Sequence, residues 1–190
     1  FMFCSPDAGG VALVLARGPR AFDLCERPVR LASVALRGRR PGSFEVFSTW
    51  LSPGERTSPS IDAAAAAFAE AGITPADVQV AQLQDTESGA EIIHLGETGL
   101  VAHGEQGEAY RNGDFRIDGR LPINTDGGLI ANGEPVGASG LRQVHEIVRQ
   151  LQGRADGMQV PGNPSIGFTH VYGAPGISAC TVLMAEGASA

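Results

Sequence analysis

The sequence predicts a layered α/β domain on a mixed five-stranded sheet. Three observations carry this. Short apolar runs bounded by Gly or Pro alternate with stretches of helical period along the 190 residues. The last two runs, 165–172 and 177–184, are separated by the tight Gly-Ala-Pro-Gly turn and close the chain as a hairpin. Between them and the middle of the chain, 141–151 sets Leu141, Val144, Ile147, Val148 and Leu151 on one side of a helix, the stripe that packing on a sheet requires.

Taken in order, 9–17 (GGVALVLAR) and 28–36 (PVRLASVAL) are predicted strands. From Arg37 to Thr57 the chain reads as irregular, with Pro41, Gly42, Pro53 and Gly54 as breakers. A helix is expected from near Ser58, with Pro59 at its first position, to Ala71, and Gly72 ends it. Its inward face would hold Ile61, Ala64, Ala65 and Phe68, and the Ala-rich 62–69 segment suits close helix packing. Thr74-Pro75 starts a short helical turn, and 78–83 is a strand with Val78, Val80 and Leu83 inward. A second helix covers about 87–98 with Gly99 as its stop, and 101–120, polar and turn-rich, reads as a surface excursion of one domain spanning 1–190.

Composition excludes several classes. Hydrophobic residues at 43% and charged residues at 18% are those of a globular chain, and a net charge of −7 carries no electrostatic footprint for nucleic acid. No run approaches a membrane span, and the opening FMFCSPDAGG shows no secretory pattern. Three cysteines without metal-type spacing point to reduced thiols and a cytoplasmic location, and no metal site is expected. All 14 basic residues are arginine, so Schiff-base chemistry on a lysine of this chain is excluded. There is neither a G-x-G-x-x-G nor a G-x-S-x-G motif.

The most ordered stretch is 124–153, NTDGGLIANGEPVGASGLRQVHEIVRQLQG. It resembles the carboxyl-terminal half of the thiolase superfamily, which carries N-x-x-G-G…G-H-P-x-G-A-[ST]-G. The resemblance covers essentially the whole chain, with DAGGVALVLAR similar to the strand leading into that half. It implies a thiolase-like layered fold, second half only. The half that carries the nucleophilic cysteine in thiolases has no counterpart here, so the chain is expected to be a fragment, or a half-length protein completed by another chain.

The same resemblance singles out the site residues. Glu134 stands where thiolases have the histidine of Gly-His-Pro, a donor to a developing oxyanion; an ionised glutamate only accepts. Glu134 is therefore expected to have become a base, or to be protonated by burial. Asp85, in Gln84-Asp85-Thr86-Glu87, retains the acid of the family's acidic-aromatic motif without its aromatic, and equally suits a helix N-cap. His170 falls where ordinary thiolases have a second cysteine, and His170-Val171-Tyr172-Gly173 is similar to the lipid-transfer branch. Tyr172 is the candidate base, with backbone N–H groups at Gly173 as a candidate oxyanion site. His94 and His145 read as helix residues of lesser promise, and His103 and Tyr110 belong to the excursion.

Together, NTDGGLIANGEPVGASG and HVYGAPG look most like the lipid-transfer-protein aldolases of bacterial steroid side-chain breakdown. That implies a lyase acting on a β-hydroxyacyl-CoA by retro-aldol cleavage, with no cofactor beyond the thioester. It also implies a DUF35 OB-fold partner and a thiolase-type homodimer, together a heterotetramer. The alternatives are an acetyl-CoA acyltransferase whose cysteine lies in the other half, or a non-catalytic subunit that binds lipid or acyl-CoA.

Overall fold

Among the described residues four strands form the sheet that positions the site: β1 (Val29–Gly38), β2 (Val80–Leu83), β3 (Ile166–Gly173) and β4 (Ile177–Ala185), in the order β1-β4-β3-β2. The computed structural model describes residues 2–40, 58–173 and 176–186. The β1–β4 and β4–β3 pairs are antiparallel and the β3–β2 pair is parallel, so the sheet is mixed as expected. The hairpin read from sequence pairs Ile166 with Met184 and Gly173 with Ile177. Ala174 and Pro175 of its turn, and the breakers at 41–54, lie outside the described residues.

The expected fifth strand is not formed. Among the described residues 9–17 join no ladder, and Val14 and Leu15 are 86% and 79% exposed. An apolar run marks a segment suited to burial but does not name its partner. A strand exists only where another strand takes its N–H and C=O groups. Beyond β2, among the described residues, the sheet receives a single parallel bridge from Ile123 to Ala81.

Among the described residues there are six helices, of which α2 and α6 pack most extensively on the sheet: α1 (Arg20–Leu24), α2 (Pro59–Ala71), α3 (Ala90–Glu97), α4 (Gln106–Asn112), α5 (Gly128–Asn132) and α6 (Ser139–Gln152), with a 3-10 turn at Pro75–Asp77. α2 starts and stops where the sequence puts it. Ser58 Oγ accepts from the Ile61 N–H at 3.2 Å, Pro59 fills the first position, and Gly72 leaves at φ 71°. Its inward face is turned from the expected one: Ala63, Ala64, Ala67 and Phe68 are buried, Ala65 is exposed and Ile61 half-buried. The small side chains let α2 lie close on β1 and β4, while Phe68 stacks on Phe168 with ring centroids 4.9 Å apart. A bulge between Leu31 and Ser33 re-aims β1 so that Ser33 donates to the Ala67 carbonyl at 2.8 Å.

The stretch 101–120, read as a surface excursion, instead carries α4 and sends Val101, Ala109 and Phe115 into the core. Its polar residues outnumber these three, which hides their common inward face from a composition-based reading. On the opposite face of the sheet α6 buries Ile147 and Leu151 against Val80, Val160 and Leu183. Leu141, expected inward, is 40% exposed, and the buried stripe of α6 includes Gln143, Glu146 and Gln150. Gln150 is satisfied: its amide donates to the Met158 carbonyl at 2.7 Å and accepts from the Val160 N–H at 2.9 Å. Among the described residues no helix is long and apolar enough to cross a membrane.

Candidate functional site

An asparagine and two glycines shape the loop that leads to the site. Asn124 sits at φ 48°, a conformation asparagine tolerates better than most residues. Its N–H donates to the Ala81 carbonyl at 3.0 Å and its Oδ1 accepts from the Leu83 N–H at 2.9 Å, so the side chain continues the edge of β2 as backbone would. Its Nδ2 donates to Glu91, which also accepts from the Tyr110 hydroxyl. Burial raises the Glu91 carboxyl above its usual range against these two bonds.

Gly127 and Gly128, at φ 96° and 61°, turn the chain into α5. A Cβ on Gly128 would lie 2.1 Å from Asp85 Oδ2, so only glycine leaves room for that carboxyl. Asp85 accepts from the Leu129 N–H at 2.6 Å and the Ile130 N–H at 3.4 Å. It thus caps α5 across the loop, rather than the helix that follows it in sequence. Burial raises its carboxyl above the usual value, and the two N–H groups draw it back.

Glu134 is strapped to the amino-terminal segment. Its N–H donates to the Ser5 carbonyl at 2.8 Å, and the Asp7 N–H donates to the Glu134 carbonyl at 3.3 Å. Its side chain accepts from Gln84 Nε2 at 2.9 Å, and Cys4 Sγ donates to its other oxygen at 3.6 Å. Burial first, and Glu134 second, push the Cys4 thiol up to about 11, so it serves as a neutral donor. Glu134 is half-buried with two side-chain donors, not a solvated turn residue.

The face of β3 that packs on α2 and α3 carries His170 and Tyr172. His170 is fully enclosed; its Nε2 lies 2.9 Å from Ser60 Oγ and its Nδ1 has no partner. Burial, then the neighbouring His94, hold its pKa well below the ordinary imidazole value, so it is neutral at pH 7. A bare lone pair on Nδ1 costs less than an orphaned N–H, which favours Nε2 as donor to Ser60. The His94 ring lies 4.4 Å from that of His170 and 5.9 Å from that of Tyr172. Its Nδ1 is 2.8 Å from Glu97 Oε2. Burial would raise the Glu97 carboxyl, but the hydrogen bond from His94 first, with smaller contributions from Ser58 and Ser60, holds it below its usual value.

The structure therefore groups the sequence candidates in two networks. Glu134 joins Gln84 and Cys4, with Asp85 beside them as a cap; His170 and Tyr172 join Ser60, His94 and Glu97. His170 and Glu134 share no hydrogen bond. Gly173 ends β3, and its carbonyl accepts from the Gly176 N–H at 3.0 Å. Sequence reasoning gave no role to Cys4, Ser60 or Glu97. Only Glu97 left a signal, since it follows His94 at the i,i+3 spacing that brings helix side chains together. His145 is exposed, and its partial burial and nearby Arg149, Arg154 and Arg142 lower its pKa. No group of three His, Cys, Asp or Glu side chains suits a metal among the described residues.

A family model described as thiolase C-terminal domain-like matches residues 53–186. The chain belongs to the thiolase family. An acetyl-CoA acetyltransferase of Methanothermobacter thermautotrophicus is 35% identical over 181 residues, 91% of this chain and 44% of that protein. A 17-hydroxy-3-oxo-4-pregnene-20-carboxyl-CoA lyase of Mycobacterium tuberculosis is 33% identical over 168 residues, 88% and 41%. Sterol carrier protein 2 of Oryctolagus cuniculus is 32% identical over 181 residues, 94% and 32%. The chain thus spans less than half the length of each of these thiolase relatives. A solved structure, the Ltp2-ChsH2(DUF35) aldolase, superposes with a TM-score of 0.69 over 86% of this chain and 41% of that one, at 24% identity, which shows the thiolase fold alone. The second half of the thiolase fold, expected from the 124–153 motif, is what the chain forms.

Proposed function

We propose that this thiolase-fold chain belongs to a carbon–carbon lyase that cleaves a β-hydroxyacyl-CoA, a steroid side chain, by a retro-aldol reaction to a ketone and a shorter acyl-CoA. The observation that carries the reading is Glu134. A thiolase needs a donor at that turn, and here an acceptor is built in, held by Gln84 and Cys4. The related carboxyl-CoA lyase of Mycobacterium tuberculosis supports the choice of chemistry. The reaction must take the β-hydroxyl proton, carry negative charge on the thioester as an enolate, and return a proton to its carbon. Tyr172 is the group that takes the proton. His170, fully enclosed, acts behind Tyr172 rather than on substrate. Backbone N–H groups at Gly173 are the proposed enolate donors. Asp85 acts through α5, which it fixes against the Glu134 turn.

The proposed reaction uses no cofactor besides the thioester. A DUF35 protein is the proposed partner, since the solved neighbour is named as an aldolase with one, and the proposed assembly is a cytoplasmic heterotetramer built on a homodimer. The test is Tyr172→Phe, which retains the ring and deletes the hydroxyl. Retro-aldol turnover of a β-hydroxyacyl-CoA should fall by about 10²-fold or more with the fold intact; near-normal turnover would remove Tyr172 from the reaction. The related acetyltransferase favours a second reading, acyl transfer through a cysteine of the other half. That reading requires thiol alkylation to abolish activity, whereas the lyase tolerates it.

A further inference from the structure

The proposed reaction leaves one pair of groups unused, and it lies directly behind Tyr172. Glu97 ends α3, three residues after His94, with its Oε2 2.8 Å from His94 Nδ1. The Ser58 and Ser60 hydroxyls, at the start of α2, favour the charged form of the same carboxyl. A half-buried acid is therefore held in its charged form against one nitrogen of one imidazole. A carboxylate on Nδ1 fixes the proton there and leaves Nε2 as the ring nitrogen open to neighbours. Those neighbours are on β3: the His170 ring at 4.4 Å, inclined 47°, and the Tyr172 ring at 5.9 Å, inclined 31°.

The other groups around His94 do not compete for a proton. His170 is neutral and tied to Ser60. Cys180 on β4, which senses Glu97, has its thiol held neutral by burial. Glu91, one turn earlier on α3, is turned to Tyr110 and Asn124. From α2 come the Ser58 and Ser60 hydroxyls.

We propose that the Glu97–His94 pair is a positioning device that sets the ionisation of the Tyr172 phenol. The phenol proton passes to His94 Nε2, and the imidazolium is held between Glu97 and the phenolate. The phenolate takes the β-hydroxyl proton as the Cα–Cβ bond breaks, and its electrons form the thioester enolate. The proton stored on His94 returns through Tyr172 to the enolate carbon, so one proton moves from oxygen to carbon and both side chains are restored. This last sequence rests on the retro-aldol reading; the control of the phenol by the pair does not.

The experiment uses the intact protein with its partner. Spectrophotometric titration of the parent minus that of Tyr172→Phe isolates one phenol. In a His94→Gln background, its midpoint should rise by about one pH unit or more, a tenfold change in ionisation. A change below about 0.3 unit overturns the proposal. Nitrogen-15 NMR of the parent, which needs no variant to fold, should find the neutral His94 ring protonated on Nδ1; the Nε2-protonated tautomer overturns it. Turnover separates the two readings. His94→Gln should lower kcat about tenfold or more and move the acid limb of the pH profile, with KM unchanged. A shifted phenol midpoint with normal turnover in Tyr172→Phe upholds the pair and sinks the retro-aldol role.

Discussion

Replacing Gly128 by alanine should uncouple the Asn124 loop from the strand it is pinned to. Two costs add. The residue sits at φ 61°, where a side chain costs about 1–2 kcal/mol. The new Cβ would also stand 2.1 Å from Asp85 Oδ2 and 2.7 Å from Oδ1, so the carboxyl must leave. Of the two bonds then lost, that to the Leu129 N–H at 2.6 Å is the strong one, and a hydrogen bond to a charged group contributes about 1.5–3 kcal/mol. The expected loss is about 2.5–5 kcal/mol, a large part of a domain's usual margin. Urea unfolding of the full-length protein measures it. The decisive form is a double-mutant cycle: in an Asp85→Ala background, Gly128→Ala should cost only its backbone part, leaving a coupling of about 1.5–3 kcal/mol. A coupling below about 0.5 kcal/mol would refute the claim that Gly128 exists to admit Asp85.

Two further outcomes follow from the site. His170 has a folded pKa well below the ordinary value of 6.5, so below pH 6.5 the unfolded chain takes a proton that the folded one refuses. Stability should therefore fall as pH drops from there, by up to about 1.4 kcal/mol per pH unit, and thermal melts of His170→Asn across pH 4–7 should show a flatter slope; an unchanged slope would clear His170 of the effect. Glu134→His should not create acetyl-CoA condensation, because Gln84 and Cys4 are arranged around an acceptor; condensation in the variant would favour the acyltransferase reading.

What the sequence disclosed depended on whether the signal was local. α2 was legible to the residue because Ser58, Pro59 and Gly72 are local instructions that the backbone obeys without help. The β3–β4 hairpin was legible for the same reason. The 9–17 segment was not, since its period says that it wants to be covered and nothing about by what. Among the site residues, Glu134 stood out only against a family pattern, and its partners Cys4 and Gln84 are 130 and 50 residues away along the chain. Asp85 was legible as a cap but not as the cap of α5, because that depends on a fold-level approach between β2 and the Gly128 turn. Glu97 carried a local signal that polar composition masked.

Gly140, in the first turn of α6, meets β3 where the strand passes between its two site residues. A Cβ there would lie 3.3 Å from Val171 Cγ1, and Val171 points away from the face that bears His170 and Tyr172. The strand is thus gripped from behind at the one residue between the enclosed histidine and the phenol. Anyone reshaping this protein for a different thioester would find the pair Gly140 and Val171 to be the fixed jaw of a vice. Bulk added to either would push the phenol itself, so new specificity is better sought at the rims of the sheet than at its centre.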